Sequence, residues 1–93
     1  MSVAFAVTRK VVPSELDGLL GMVPNIVRSL EQKHGFQGFK LYVNRAESTL
    51  LTISQWASPE DLEADREYHQ QMAQLLASKA AIEKEETYEV VPL

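Results

Sequence analysis

The chemistry-bearing residues concentrate in one stretch, ISQWASPEDLEADREYHQQMAQLL, residues 53 to 76. It holds Trp56, the only tryptophan in the chain, and His69, one of two histidines. An imidazole with an ordinary pKa of about 6.5 exchanges protons at neutral pH, so His69 is the candidate general base. The indole of Trp56 offers a flat wall for an aromatic ligand and one N–H donor. Thr52 can donate or accept one hydrogen bond toward a substrate oxygen. Tyr68 and Tyr42 can orient a ligand hydroxyl, and Met72 and Asn44 complete the candidate set. Each has a competing packing reading. Trp56 can be a plug where a strand meets a helix. His69 shares a helical stripe with Leu62, Met72, Ala73 and Leu76 and can sit at a core margin. The tyrosines can be amphipathic packing groups. Thr52 and Asn44 count only if their strand face lines a pocket. The other histidine, His34, falls at the end of an expected helix, where a positive charge is favourable.

The rest of the sequence narrows the chemistry. The chain has 93 residues, a formal net charge of −4 and no cysteine. That length suits one domain, and no disulfide framework or thiolate metal site is available. The basic residues are dispersed, against a nucleic-acid surface. No apolar run approaches the roughly 20 residues of a membrane span. The positive charges of MSVAFAVTRKVV follow its apolar run, unlike a signal peptide, so a soluble cytoplasmic protein is expected. No HExxH, GxSxG or glycine-rich phosphate loop occurs, and no metal site is expected.

Six elements must position the candidates. VAFAVT, residues 3 to 8, alternates bulky and small side chains as a strand does. PSELDGLLGMVPNIVRSLEQKHG reads as a helix with Ser14 as N-cap, a stripe of Leu16, Leu19, Leu20, Val23, Val27 and Leu30, and Gly35 as its stop. Pro24, with Gly18 and Gly21 nearby, predicts a kink or break near Met22–Val23, since proline costs roughly 3 kcal/mol inside a helix. GFQGFKLYVNRAESTLLTISQW reads as an antiparallel hairpin turning at NRAES. Ser58-Pro59-Glu60-Asp61 is a strong helix start. That helix is expected to reach about Ala80, with an interruption near Asp65–Glu67. EKEE, residues 83 to 86, reads as a solvated edge, and TYEVVPL as a final strand. The order is the split βαβ, ferredoxin-like pattern: an α+β fold with a four-stranded antiparallel sheet and two helices on one face.

The uncovered sheet face would carry Ala4, Ala6, Tyr42, Leu50, Thr52 and Trp56, or their alternating neighbours. Neither set is polar enough for free solvation, which predicts a homodimer packed sheet to sheet.

The segments HGFQGFKLYV, the strand ending in QW, and ASPEDLEADREYHQQM resemble the antibiotic biosynthesis monooxygenase domain family, of the dimeric α/β-barrel superfamily. The resemblance covers nearly the whole chain. It implies a ferredoxin-like fold, a dimer through the sheets and a pocket between sheet and helices. It also implies oxidation of aromatic or quinol-type molecules by oxygen with no cofactor, or, in other members, haem degradation. Quinone-forming members carry asparagine where this chain has Thr52, so their catalytic pair is incomplete here. Haem-degrading members carry a tryptophan and a ligating histidine near positions occupied here by Asp65 and Leu75, which disfavours that activity. The expectation is a cofactor-independent monooxygenase with His69 as proton acceptor and Trp56 as wall, against a non-catalytic dimer that binds a small apolar molecule.

Overall fold

The computed structural model describes all 93 residues. Strand β1 (Val3–Val11) leads through a 3-10 turn (Pro13–Glu15) into helix α1 (Leu16–Glu31). Strands β2 (Phe36–Asn44) and β3 (Thr49–Trp56) form the hairpin. Helices α2 (Pro59–Ala64) and α3 (Arg66–Leu75) precede strand β4 (Ala80–Glu89). The sheet order is β2-β3-β1-β4 and all pairings are antiparallel. This is the expected α+β, ferredoxin-like arrangement. No helix is long and apolar enough to cross a membrane.

Register decides which side chains meet the helices. Val7 pairs with Thr52 on one side and Glu85 on the other, and Thr52 pairs with Leu41. Paired residues share a face, so Val3, Phe5, Val7, Arg9 and Val11 point the same way as Leu50, Thr52, Ser54 and Trp56. Between Phe36 and Gly38 the β2–β3 register shifts by a bulge. The extra residue, Gln37, lets Phe36 and Phe39 both face inward although three positions apart. Two apolar clusters result. One joins Val11, Leu16, Leu19, Leu50 and Ala80; the other joins Val3, Leu30, Trp56 and Leu62.

Ala4, Ala6, Thr8, Leu51, Ile53 and Tyr42 therefore lie on the outer face. The expected composition of that face is corrected: Leu50, Thr52 and Trp56 belong to the helix side, because β3 presents its even-numbered residues there.

Several boundaries differ from expectation. Helix α1 runs unbroken through Pro24. Its apolar stripe on the sheet outweighs the single backbone bond that proline removes. Ser14 lies in the 3-10 turn, and α1 starts without a side-chain cap. Gly35 does not stop α1, which ends four residues earlier; it enters β2 at φ +79°. Helix α3 ends at Leu75, and β4 begins at Ala80, not at TYEVVPL. Strand β4 is a sheet edge with only Ala80 buried, so it lacks the apolar alternation that marks a half-buried strand. The expected solvated EKEE run is part of it. The interruption at Asp65 and the Ser58 cap are as read: the Ser58 hydroxyl accepts from Asp61 N at 3.1 Å.

Asp61 also ties the start of α2 to the loop before β2. Its carboxylate accepts from Ser58 Oγ at 2.9 Å and pairs with His34 Nδ1 at 2.7 Å. His34 thus clamps α2, a role different from capping α1. A Cβ on Gly35 would overlap the Asp61 carboxylate, and the backbone there is left-handed. Gly35→Ala should cost about 2 kcal/mol or more, the usual range for a strained backbone plus loss of the clamp. Urea denaturation checks it.

Candidate functional site

A cavity opens between the inner sheet face and helices α1 and α3. Its sheet wall is Phe5, Val7, Arg9, Phe39, Leu41, Leu50, Thr52 and Ser54. Leu19, Met22, Val23 and Ile26 of α1, with His69, Met72 and Leu76, close the other side. Amphipathic spacing explains this lining. Each helix turns its apolar stripe to the sheet, and the polar exceptions, Arg9, Thr52, Ser54 and His69, stand out against eleven hydrophobic neighbours. The free volume is about 80 Å³. An apolar cavity of about 150 Å³ takes benzene, so a ring enters only if a wall gives. Pro24 lies in the same stretch of α1, on its exposed side, and its missing N–H leaves the Leu20 carbonyl without its helical partner.

Of the residues singled out by sequence, Thr52, His69 and Met72 meet in this cavity. Trp56 does not line it. Trp56 is fully buried at 0% exposure, with the edge of Phe36 against it at 5.5 Å between centroids. Its indole N–H donates to Ser54 Oγ at 3.0 Å, and Ser54 faces the cavity. The indole therefore acts behind the wall, fixing the Ser54 oxygen as an acceptor and leaving the hydroxyl proton free to be donated. Tyr68 packs against the Trp56 cluster and under the Lys33 ammonium, 5.2 Å from the ring centroid. Tyr42, 51% exposed, and Asn44 lie outside the cavity. Tyr42 points from the outer face because it pairs with Leu51. Asn44 accepts from Glu47 N in the hairpin turn. Helix phase and strand parity thus keep Tyr68, Tyr42 and Asn44 out of this cavity.

Three residues that the sequence reading passed over complete the polar set. Ser54 is one. Arg9 is the second: its Nη1 donates to Thr52 Oγ1 at 3.3 Å. Asp65, at the α2–α3 junction, is the third. Its carboxylate is 2% exposed and sits 3.2 Å from His69 Nε2 and 3.5 Å from Lys33 Nζ. Those are ion-pair distances without hydrogen-bond alignment, so both Asp65 oxygens and His69 Nε2 lack a hydrogen bond. The signals were present: Asp65 precedes His69 by one helical turn, Ser54 shares a strand face with Trp56, and Arg9 continues the bulky face of β1. No three His, Asp or Glu side chains converge as metal ligands.

His69 stands between two spaces. Phe5 flanks its ring at 5.1 Å. His69 and Phe5 also line a second, more polar cavity, with Leu62, Arg66, Gln70, Ala73 and Glu85. Burial holds the His69 pKa below its ordinary 6.5, and Arg9 and Arg66 add to the fall, while Asp65 and Glu85 oppose it. The imidazole is therefore neutral at pH 7, the form that accepts a proton.

That depression carries a stability signature. Between the two pKa values the unfolded chain binds more protons at this site than the folded one. The contribution is thus whole above about pH 6.5 and is lost as pH falls through the folded value. Unfolding free energy should be lower at about pH 5 than at about pH 7.5, and His69→Gln should flatten that difference. The Asp61 carboxyl, held below its ordinary 3.8 by its bonds to His34 and Ser58, acts only at lower pH.

No family model matches the sequence, and no curated protein matches it. Solved structures do match the fold. A candidate antibiotic biosynthesis monooxygenase from Nitrosomonas europaea superposes with a TM-score of 0.82 at 12% identity, covering 97% of this chain and 90% of the other. Another from Chloroflexus aurantiacus gives 0.76 at 14% identity, covering 99% and 95%. SnoaB, a cofactor-independent oxygenase from Streptomyces nogalater, gives 0.76 at 13% identity, with the same coverage. The chain has the fold of these antibiotic biosynthesis monooxygenase structures over nearly its whole length.

Proposed function

We propose that this chain is a cofactor-independent monooxygenase acting on an aromatic or quinol-type small molecule. The observation that carries the reading is a neutral imidazole, His69, set in the wall of an apolar cavity. Oxygenation without a cofactor needs a substrate that becomes electron-rich on losing a proton. His69 takes that proton. Oxygen adds to the deprotonated ring carbon, and the proton held by His69 passes to the resulting peroxide to give a hydroperoxide. Loss of water then leaves the quinone carbonyl, so one oxygen atom enters the product and the other leaves in water. Thr52 and Ser54 hold the substrate oxygen, Met72 and the aliphatic side chains hold the ring, and the apolar wall excludes water. The likeness to SnoaB supports the reaction class.

Binding without turnover is the second reading, favoured by the small cavity and by the packed position of Trp56. Oxygen uptake with a panel of anthrones and dihydroxynaphthalenes separates the two. Consumption of oxygen with quinone formation is expected; tight binding with no uptake from any of them overturns the enzyme reading.

The outer sheet face is proposed to pair two copies of the chain. Ala4, Ala6, Leu51 and Ile53 are apolar residues on a face that no helix covers, and Tyr42 and Tyr88 are about half exposed. Light scattering at micromolar concentration is expected to give the mass of a dimer; a stable monomer overturns the pairing.

A further inference from the structure

No carboxylate lies within ion-pair distance of the Arg9 guanidinium. Its one side-chain hydrogen bond goes to the neutral hydroxyl of Thr52. None of the ion pairs in the fold involves it. Yet Arg9 is half-buried and lines an apolar cavity. Enclosing an arginine without a carboxylate is costly unless something of opposite charge arrives. Guanidinium has five N–H donors, and most remain unused here. The groups facing it are Thr52 from β3, Glu85 from β4 and His69 from α3. Burial lowers the Arg9 pKa from its ordinary value, and Glu85, beyond ion-pair distance, opposes that fall only in part. His69 is neutral at pH 7. Asp65 stands at the Nε2 of that imidazole, and Arg66 lines the second cavity with it.

The neighbouring hydroxyls extend the pattern. Thr52 accepts from Arg9, so its own proton is free to be donated. Ser54 accepts from the Trp56 indole and is in the same state. A fixed cation and two poised donors thus lie along one side of an otherwise apolar space. That combination fits a single ionised oxygen on an apolar ring.

We infer that Arg9, with Thr52, forms an anion-binding subsite that selects acidic phenols and enols and holds them as phenolates or enolates. The inference adds a ligand class to the monooxygenase reading and rests on the same cavity. It requires no turnover. Arg9 is a binding residue in this account, and the position of its charge fixes which end of the ligand lies toward the sheet.

Para-nitrophenol is the probe, because its neutral and ionised forms absorb at different wavelengths. Para-nitroanisole is its neutral counterpart and para-nitrobenzoate the carboxylate one. Binding is measured at mildly alkaline pH, where His69 is neutral, and the bound dye is then titrated. The dye's pKa is expected to fall by about one unit or more on binding. The phenolate is expected to bind about 10- to 100-fold more tightly than the anisole. Arg9→Met, which replaces a half-buried charge by an apolar chain of similar length, should fold, keep anisole binding and lose the phenolate preference. Thr52→Val should lose part of it. Equal binding of phenolate and anisole, no binding of either, a preference that survives Arg9→Met, or stronger binding of the benzoate each overturns the inference. Phenolate preference without oxygen uptake from the substrate panel leaves the subsite standing and overturns only the oxygenase reading.

Discussion

Trp56→Ala should lower the unfolding free energy by about 3–5 kcal/mol, the usual loss for emptying a buried aromatic site. For a domain whose total stability is roughly 5–15 kcal/mol, that removes a large fraction of the fold. The location explains the size. Trp56 is the largest fully buried side chain and joins four elements at one point. Val3 from β1 and Phe36 from β2 pair across from it, and Leu30 of α1 and Leu62 of α2 pack on it. Trp56→Phe keeps most of the ring volume but loses the bond to Ser54, so about 1–2 kcal/mol should go. Urea denaturation of both variants and of Ser54→Ala tests the account. A loss below about 1.5 kcal/mol for Trp56→Ala would mean that the corner collapses without its plug.

The two substitutions also bear on function. Trp56→Phe leaves the Ser54 hydroxyl without its fixed donor. That oxygen can then turn, and the cavity loses one oriented proton. The effect of Trp56 on a ligand passes through Ser54, because no face of the indole reaches the cavity. An aromatic wall is still present, supplied by Phe5 and Phe39.

Much of this arrangement was legible in the residues, and the parts that were not have identifiable physical causes. The Ser58-Pro59-Glu60-Asp61 start of α2 depends on nearest neighbours, so its reading holds in detail. The alternation of β1 was legible too, from bulky Val3, Phe5 and Val7 against small Ala4 and Ala6. Strand β4 was hidden because an edge strand with one buried residue carries no periodic signal. The faces of Tyr42 and Thr52 were undecided because alternation gives two faces without saying which meets the helices. The bulge at Gln37 then changes the parity of β2 between Phe36 and Phe39. Pro24 misled in the other direction: a local penalty of roughly 3 kcal/mol is smaller than the burial of the stripe from Leu16 to Leu30. Arg9 and Asp65 were passed over because each looks ordinary alone. Their meaning is that burial leaves each under-partnered, and only the packed structure creates that condition.

His69→Ala should reduce oxygen turnover by about 10²- to 10⁴-fold, the usual contribution of a positioned general base, with a smaller change in KM. The imidazole is the one group in the cavity wall with a proton-accepting nitrogen near neutral pH. In the proposed reaction Asp65 acts through it as a positioning residue. Its buried carboxylate at 3.2 Å from Nε2 favours the protonated ring and so raises the affinity of His69 for the substrate proton. The two effects separate by pH. The proposed reaction needs neutral His69, so kcat/KM should rise with pH through an inflection below 6.5, where burial holds that pKa. Asp65→Asn removes the opposing charge, and the inflection should move to lower pH, with kcat reduced about tenfold by the weaker base. An oxygen electrode, with the best substrate of the panel across about pH 5 to 9, reads both. A purely structural role for Asp65 predicts lower stability with an unmoved inflection. Full turnover in His69→Ala would remove the histidine from the chemistry altogether and leave substrate acidity, set by Arg9, as the remaining source of the reactive anion.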